Sequence, residues 1–180
     1  YGDATMTSKL KTDVLETVSG SGTIALTNQL SGMTSASVPL LTAAQMPAGS
    51  VLQIVSDIYT GGNDYSTTSN SYVDTQLAVS ITPKFANSKI LIQMVMNTQS
   101  PSGSRGESKI MRGSTLLSGY SWIGPNDNHE NWGVNAGTWE DFPNTTSAIT
   151  YKVQSKALGG IYYYHSGGLT SSLVLTEIKV

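Results

Sequence analysis

The segment Lys89–Met96 constrains this chain more than any other. Between Ile90 and Met96 only Gln93 interrupts a dense apolar run, and the breaker stretch Pro83–Ser88 precedes it. A helix of seven residues is too short to justify such concentrated hydrophobicity. A strand of that length, apolar on both phases, is expected to be covered on both faces. The chain must therefore build sheets on either side of it.

Other stretches supply them. Val51–Tyr59 carries Leu52, Ile54 and Ile58. Val73, Thr75, Leu77, Val79 and Ile81 alternate with Asp74, Gln76, Ala78, Ser80 and Thr82, the cleanest period-two pattern in the sequence. Ser108–Arg112 and Thr115–Leu117 flank Gly113-Ser114, a pair suited to a type II′ hairpin because its first position requires positive φ. Thr150–Ala157 alternates again, and Ile161–Tyr164 and Leu173–Val180 close the series. Ser and Thr outnumber the 10 Lys and Arg and 12 Asp and Glu by two to one. Those small hydroxyl residues compete with helix formation. The expected fold is all-β, an antiparallel jelly-roll sandwich.

Residues 1–46 differ. Their apolar residues are sparse and separated by turn signals such as Ser19–Gly22, so the segment cannot bury a core alone. We read 1–46 as an extended attachment or shaft segment and 47–180 as the sandwich head. Met6 could be a native initiator, with residues 1–5 belonging to something upstream. No Cys is present, so neither disulfides nor thiolate sites are expected. A net charge of −2 gives no reason to expect nucleic acid, and no apolar stretch approaches a membrane span. No export signal is visible at the start.

All three Trp residues fall between 122 and 139, in a region with no Lys or Arg from 113 to 151. Tyr120, Trp122, Asn131, Trp132, Trp139 and Phe142 are the candidate ligand-binding residues, on loops expected at the far end of the head. Aromatic faces stack on sugar rings, and amphipathic aromatics anchor protein partners. The plainer account is that the indoles fill the sandwich or a subunit contact. Asp127 and Glu130 suit calcium, and His129 with His165 offer zinc less. Solvated loop charges explain these side chains as well, and no metal or cofactor is expected. Glu130 paired with Glu140 or Asp141 could suggest a glycoside hydrolase, but sequence spacing says nothing of their separation. No nucleophile motif such as G-x-S-x-G occurs, and no catalytic residue is expected.

Tyr162–Tyr164 is aromatic on both phases, and Val174, Ile178 and Val180 keep the last strand apolar to its end. Tyr162, Tyr164, Val174, Ile178 and Val180 are accordingly the candidate trimer-interface residues, with ordinary burial in the sandwich as the competing account.

Several stretches taken together resemble a family of short fibre-like structural proteins of tailed bacteriophages, frequent in marine phages. They are 47–55, Ser80-Ile-Thr-Pro83, 87–92, 111–115, 147–154, the terminal Leu-Thr-Glu-Ile, and Asp13–Glu16 with Gly20–Ile24. The resemblance touches most of the chain except 118–146. It implies a head similar to the trimeric jelly rolls of tumour necrosis factor and complement globular heads, on a virion surface. It further implies a homotrimer held to another virion protein through 1–46, with a host-surface glycan or receptor as possible ligand, and no catalytic residues. A capsid decoration protein without a specific ligand, or a secreted bacterial carbohydrate-binding module, are the alternative readings.

Overall fold

The computed structural model describes residues 41–61, 65–117, 121–123 and 131–180, with 121–123 and 131 described through their backbone alone. The body Leu41–Val180 is one compact unit. Its strands are β1 (Val51–Tyr59), β2 (Tyr65–Thr67), β3 (Val73–Ile81), β4 (Lys89–Ser100), β5 (Gly106–Arg112), β6 (Thr115–Leu116), β7 (Ser121–Ile123), β8 (Asn131–Asp141), β9 (Ile149–Ala157), β10 (Tyr162–Tyr164) and β11 (Ser171–Ile178).

Two antiparallel sheets face each other. The first runs β1-β11-β4-β8, with short β10 and β2 continuing beside β4 beyond the end of β11. The second runs β3-β9-β5, with β6 and β7 sharing the free edge of β5. We refer to them as the β4 sheet and the β9 sheet. Counting β6 and β7 as one interrupted strand, and setting aside β10 and β2, four strands oppose four. The chain crosses between sheets from β2 to β3, β3 to β4, β4 to β5, β7 to β8, β8 to β9 and β9 to β10. This is a jelly roll.

Period-two alternation makes the sandwich. Leu77, Val79 and Ile81 of β3 point inward beside Tyr151 and Val153 of β9, and meet Ile90, Ile92, Met94 and Met96 of β4 and Leu173 and Leu175 of β11. Each of these is 5% exposed or less. Burying a side chain of this size contributes roughly 1.5–3 kcal/mol, so the β4–β11 pair supplies much of the stability. Glu177 follows the inward phase of Leu173 and Leu175 and is fully buried. Its carboxylate accepts hydrogen bonds from Ser88 Oγ at 2.6 Å, the Lys84 amide at 2.6 Å and Gln53 Nε2. Those donors offset its desolvation and pin the turn between β3 and β4 onto the last strand. Lys179 fastens residues 41–46 by donating to the carbonyls of Ala44 and Met46.

Two expectations change. Residues 131–141, read as part of a long aromatic and polar region, form an eleven-residue strand paired with β4 along its whole length. Its inward positions are Gly133, Asn135, Gly137, Trp139 and Asp141, too small and polar to show as an apolar phase. And β4 is covered on one face only. Ile90, Ile92, Met94 and Met96 are inside, but Val95 on the other face is 41% exposed, and β4 itself extends through Ser100.

Candidate functional site

The uncovered side of the β4 sheet is the most unusual surface of the described sandwich. The registers set its residues in rows: Ile58, Ser172, Val95 and Ala136; Ser56, Val174, Gln93 and Thr138; Ile54, Thr176, Leu91 and Glu140. Ile54 is 62% exposed, and Val174, Ile178 and Leu91 are half-buried among their neighbours. Only one ion pair in these rows is described, Lys89 with Glu140 at 2.9 Å. Half of these twelve residues are apolar and half are Ser, Thr, Gln or Glu, so the side is mixed, with Ile54, Ile58 and Val95 the most exposed large aliphatic side chains among them.

At one end of this side stands Trp132, opposite Gln99 and 58% exposed. A cavity of about 220 Å³ opens beside it, lined by Asn97, Thr98, Gly133, Val134, Ser166 and Leu169. Asn97 Nδ2 donates to the Thr170 carbonyl at 2.7 Å, and Ser166 Oγ donates to Gln99 Oε1 at 3.0 Å. Behind the same end lies His165, fully buried among Tyr59, Tyr65 and Tyr164. Neither ring nitrogen has a hydrogen-bond partner. Burial pulls its pKa down to about 4, against a smaller opposing pull from Asp57.

Of the six candidate ligand residues, the three with described side chains, Trp132, Trp139 and Phe142, lie apart. Trp132 faces out, whereas Trp139 is turned inward and packs against the core. Its ring lies so close over Gly137 that a Cβ there would come within 2.3 Å of it. Phe142 is exposed but sits at the far end of β8, roughly 30 Å along the strand from Trp132. Tyr120 lies outside the described residues. Trp122 is placed in β7 opposite Glu107, and Asn131 begins β8 opposite Ser100; neither side chain is described. Of the trimer candidates, Tyr162 and Tyr164 are buried inside this chain's own sandwich, with phenol pKa values raised by burial. Val174 and Ile178 lie on the uncovered side, and Val180 is exposed. Sequence reasoning passed over Leu91, Val95 and Val134 as surface residues, and Ile54 and Ile58 as members of the same side.

Glu130, common to both candidate hydrolase pairs, lies outside the described residues; its two possible partners point to opposite sides of β8. Glu140 points outward to Lys89. Asp141, its neighbour, points between the sheets, where Arg112 Nη1 binds both carboxylate oxygens at 2.8 Å and the Tyr151 hydroxyl donates at 2.7 Å. Burial, with Asp141 beside it, drives the Tyr151 phenol far above its ordinary pKa. This triad ties β5, β8 and β9 together across the sandwich. Asp127, His129 and Glu130 lie outside the described residues. Among the described residues no group of three potential metal ligands occurs, and no helix is long and apolar enough to cross a membrane.

The described body is thus an antiparallel jelly-roll sandwich whose β4 sheet has one exposed side carrying several aliphatic residues. Similar solved structures include the infectious bursal disease virus VP2 subviral particle, at 10% identity and TM-score 0.44, covering 71% of this chain and 32% of that one. The structure of the Gt strain of the same virus aligns at 12% identity and TM-score 0.38, covering 73% of this chain and 39% of that one. The chain therefore spans about a third of the length of the solved chains it matches, and a likeness of this strength carries no functional argument. A scan against protein-family models finds no match, and a search of the curated proteins finds none either.

Proposed function

We propose that this chain is a structural protein of a phage virion, working by display and without catalysis. In this reading, three copies pack the uncovered sides of their β4 sheets together as a fibre or spike head on tail or capsid. Residues 1–46 attach the head to another virion protein. Loops and sheet ends left outside the trimer meet a glycan or receptor on the host surface. The observation that carries the reading is the exposed side of β4. Leu91 and Val95 stand there beside Ile54, Ile58 and Val174 of the neighbouring strands, and the chain's own fold leaves them uncovered. The resemblance of 47–55, 87–92 and 147–154 to short fibre-like phage proteins points the same way.

Packing the rows around Ile54, Ile58, Leu91, Val95 and Val174 against their copies would remove them from water at roughly 25 cal/mol per Å². Threefold repetition would also convert weak single contacts into avidity. Two measurements test the proposal. Light scattering on the purified protein should give three times the chain mass at micromolar concentration; a monomer sinks the trimer. Antibody labelling of phage particles in electron micrographs should decorate the particle, and unlabelled virions in a phage expressing the chain sink the virion assignment.

A further inference from the structure

We propose that Trp132 and the cavity beside it form a saccharide subsite that takes one ring of a surface glycan; this rests on the display reading and gives it an address. The indole is exposed and rests against Gly167. Its six-membered ring abuts Gly167 so closely that a Cβ there would lie 2.8 Å from Cζ3, and Gly167 has φ +75°. Glycine therefore suits the positive φ, and a Cβ there would push the exposed indole aside. A platform backed in this way loses less freedom than a free side chain when something stacks on it.

The surroundings select the ligand. Val134 and Leu169 give the cavity an apolar side. Asn97 gives it an amide, while the Thr98 and Ser166 hydroxyls are buried in its wall and donate to the Gly133 carbonyl and to Gln99 Oε1. The Asn97 amide is oriented by its bond to the Thr170 carbonyl, which commits Nδ2 and leaves Oδ1 with no described partner. A pyranose has the matching construction, one face of C–H bonds and a rim of hydroxyls. Pockets for drug-sized ligands occupy roughly 300–1,000 Å³; at about 220 Å³ this one is suited to a single ring. A flat protein surface could cover the indole but could not enter the hollow.

Position separates the site from the proposed trimer contact. Trp132 pairs with Gln99, four residues beyond Val95 on β4, or about 13 Å along the strand. It stands past the rows of that contact, at their rim. A trimer would present three such sites. Single-ring binding near millimolar would be raised about 10²–10⁴-fold in avidity by that repetition.

The test uses the full chain. An array of bacterial surface saccharides identifies ligands, and saturation-transfer NMR is run with the methyl glycosides of glucose, galactose, N-acetylglucosamine and rhamnose. The expected result is retention on the array and transfer to at least one glycoside. Trp132→Ala and Gly167→Ala should each weaken binding tenfold or more while the mass by light scattering stays that of the wild type. Three results overturn the proposal: no saccharide bound by the wild type, binding undiminished in Trp132→Ala, or Trp132→Ala dissociating the assembly, which makes the indole a subunit contact. A monomeric wild type whose glycoside binding depends on Trp132 keeps the subsite and sinks the trimer, so the two failures are distinguishable.

Discussion

On the β9 sheet, the side chains turned away from the core include Asp74, Lys152, Gln154, Lys156 and Glu107. On the β4 sheet the corresponding outward positions include Ile54, Ile58, Leu91, Val95 and Val174. The first set is satisfied within the chain. Asp74 pairs with Lys152 at 2.8 Å and accepts from Gln154 at 2.6 Å. Glu107 holds Lys156 at 3.1 Å and the Tyr72 hydroxyl at 2.8 Å, with Lys109 over the Tyr72 ring. The second set has little comparable to engage. Both sheets obey the same inward alternation, so the core cannot explain why their outer sides differ. An antiparallel sheet can leave one side to water, and the β9 sheet does so. The β4 sheet instead leaves Ile54, Ile58 and Val95 exposed among Ser, Thr and Gln residues, which is the side the proposed trimer would cover.

The strongest way to break this contrast is to put charge on each side in turn. Replacing both Ile54 and Val95 by Lys is expected to raise the dissociation constant of the proposed trimer a thousandfold or more, because like charges would be buried opposite their copies. Gln76→Lys with Gln154→Lys on the β9 sheet should leave the mass by light scattering unchanged. If both pairs behave alike, the contrast between the sides has no bearing on assembly.

How much of this was legible depended on what each strand turned inward. β3, β9 and β11 could be read directly, because Leu77, Val79 and Ile81, Tyr151 and Val153, and Leu173 and Leu175 are large and in phase. β8 could not, since Gly133, Asn135 and Gly137 on its inward side leave room for Trp139 and show no apolar period. Once β8 is known to be a strand, the spacing becomes informative. Trp132 and Trp139 stand an odd number of residues apart, so one must face in and the other out. Tyr162 and Tyr164 share a phase, and both go to the core. Glu177 shares the phase of Leu175, which was the available sign of a buried carboxylate. The cavity beside Trp132 had no such sign, because β4, β8 and the turn around Ser166 meet there only after folding.

Acid should separate the two regions next. His165 sits behind the Trp132 end of the β4 sheet with its pKa near 4, against about 6.5 in an unfolded chain. Folding favours the neutral ring, so this contribution is complete above about pH 6.5 and is lost as pH falls toward 4. The loss is on the order of 3 kcal/mol. Urea midpoints measured across that window should fall steeply for the wild type. His165→Gln, which has no proton to gain, should flatten the slope whatever its own stability. An unchanged slope removes the buried imidazole from the account.

The smallest effect belongs to the β9 sheet and is informative for being small. Hydrogen bonds from Lys152 and Gln154 hold the Asp74 carboxyl below its ordinary value of 3.8, so its share of stability is complete above that value and fades only as pH falls below it. The side chain is half exposed, and exposed pairs of this kind contribute roughly 0–1 kcal/mol. Asp74→Asn should therefore shift the urea midpoint at pH 7 only slightly and leave the pH 4–6.5 slope intact. It should also preserve the assembly mass. A loss several times larger would mean that the charged side is a contact surface as well, and that polarity alone does not tell the two sides of this sandwich apart.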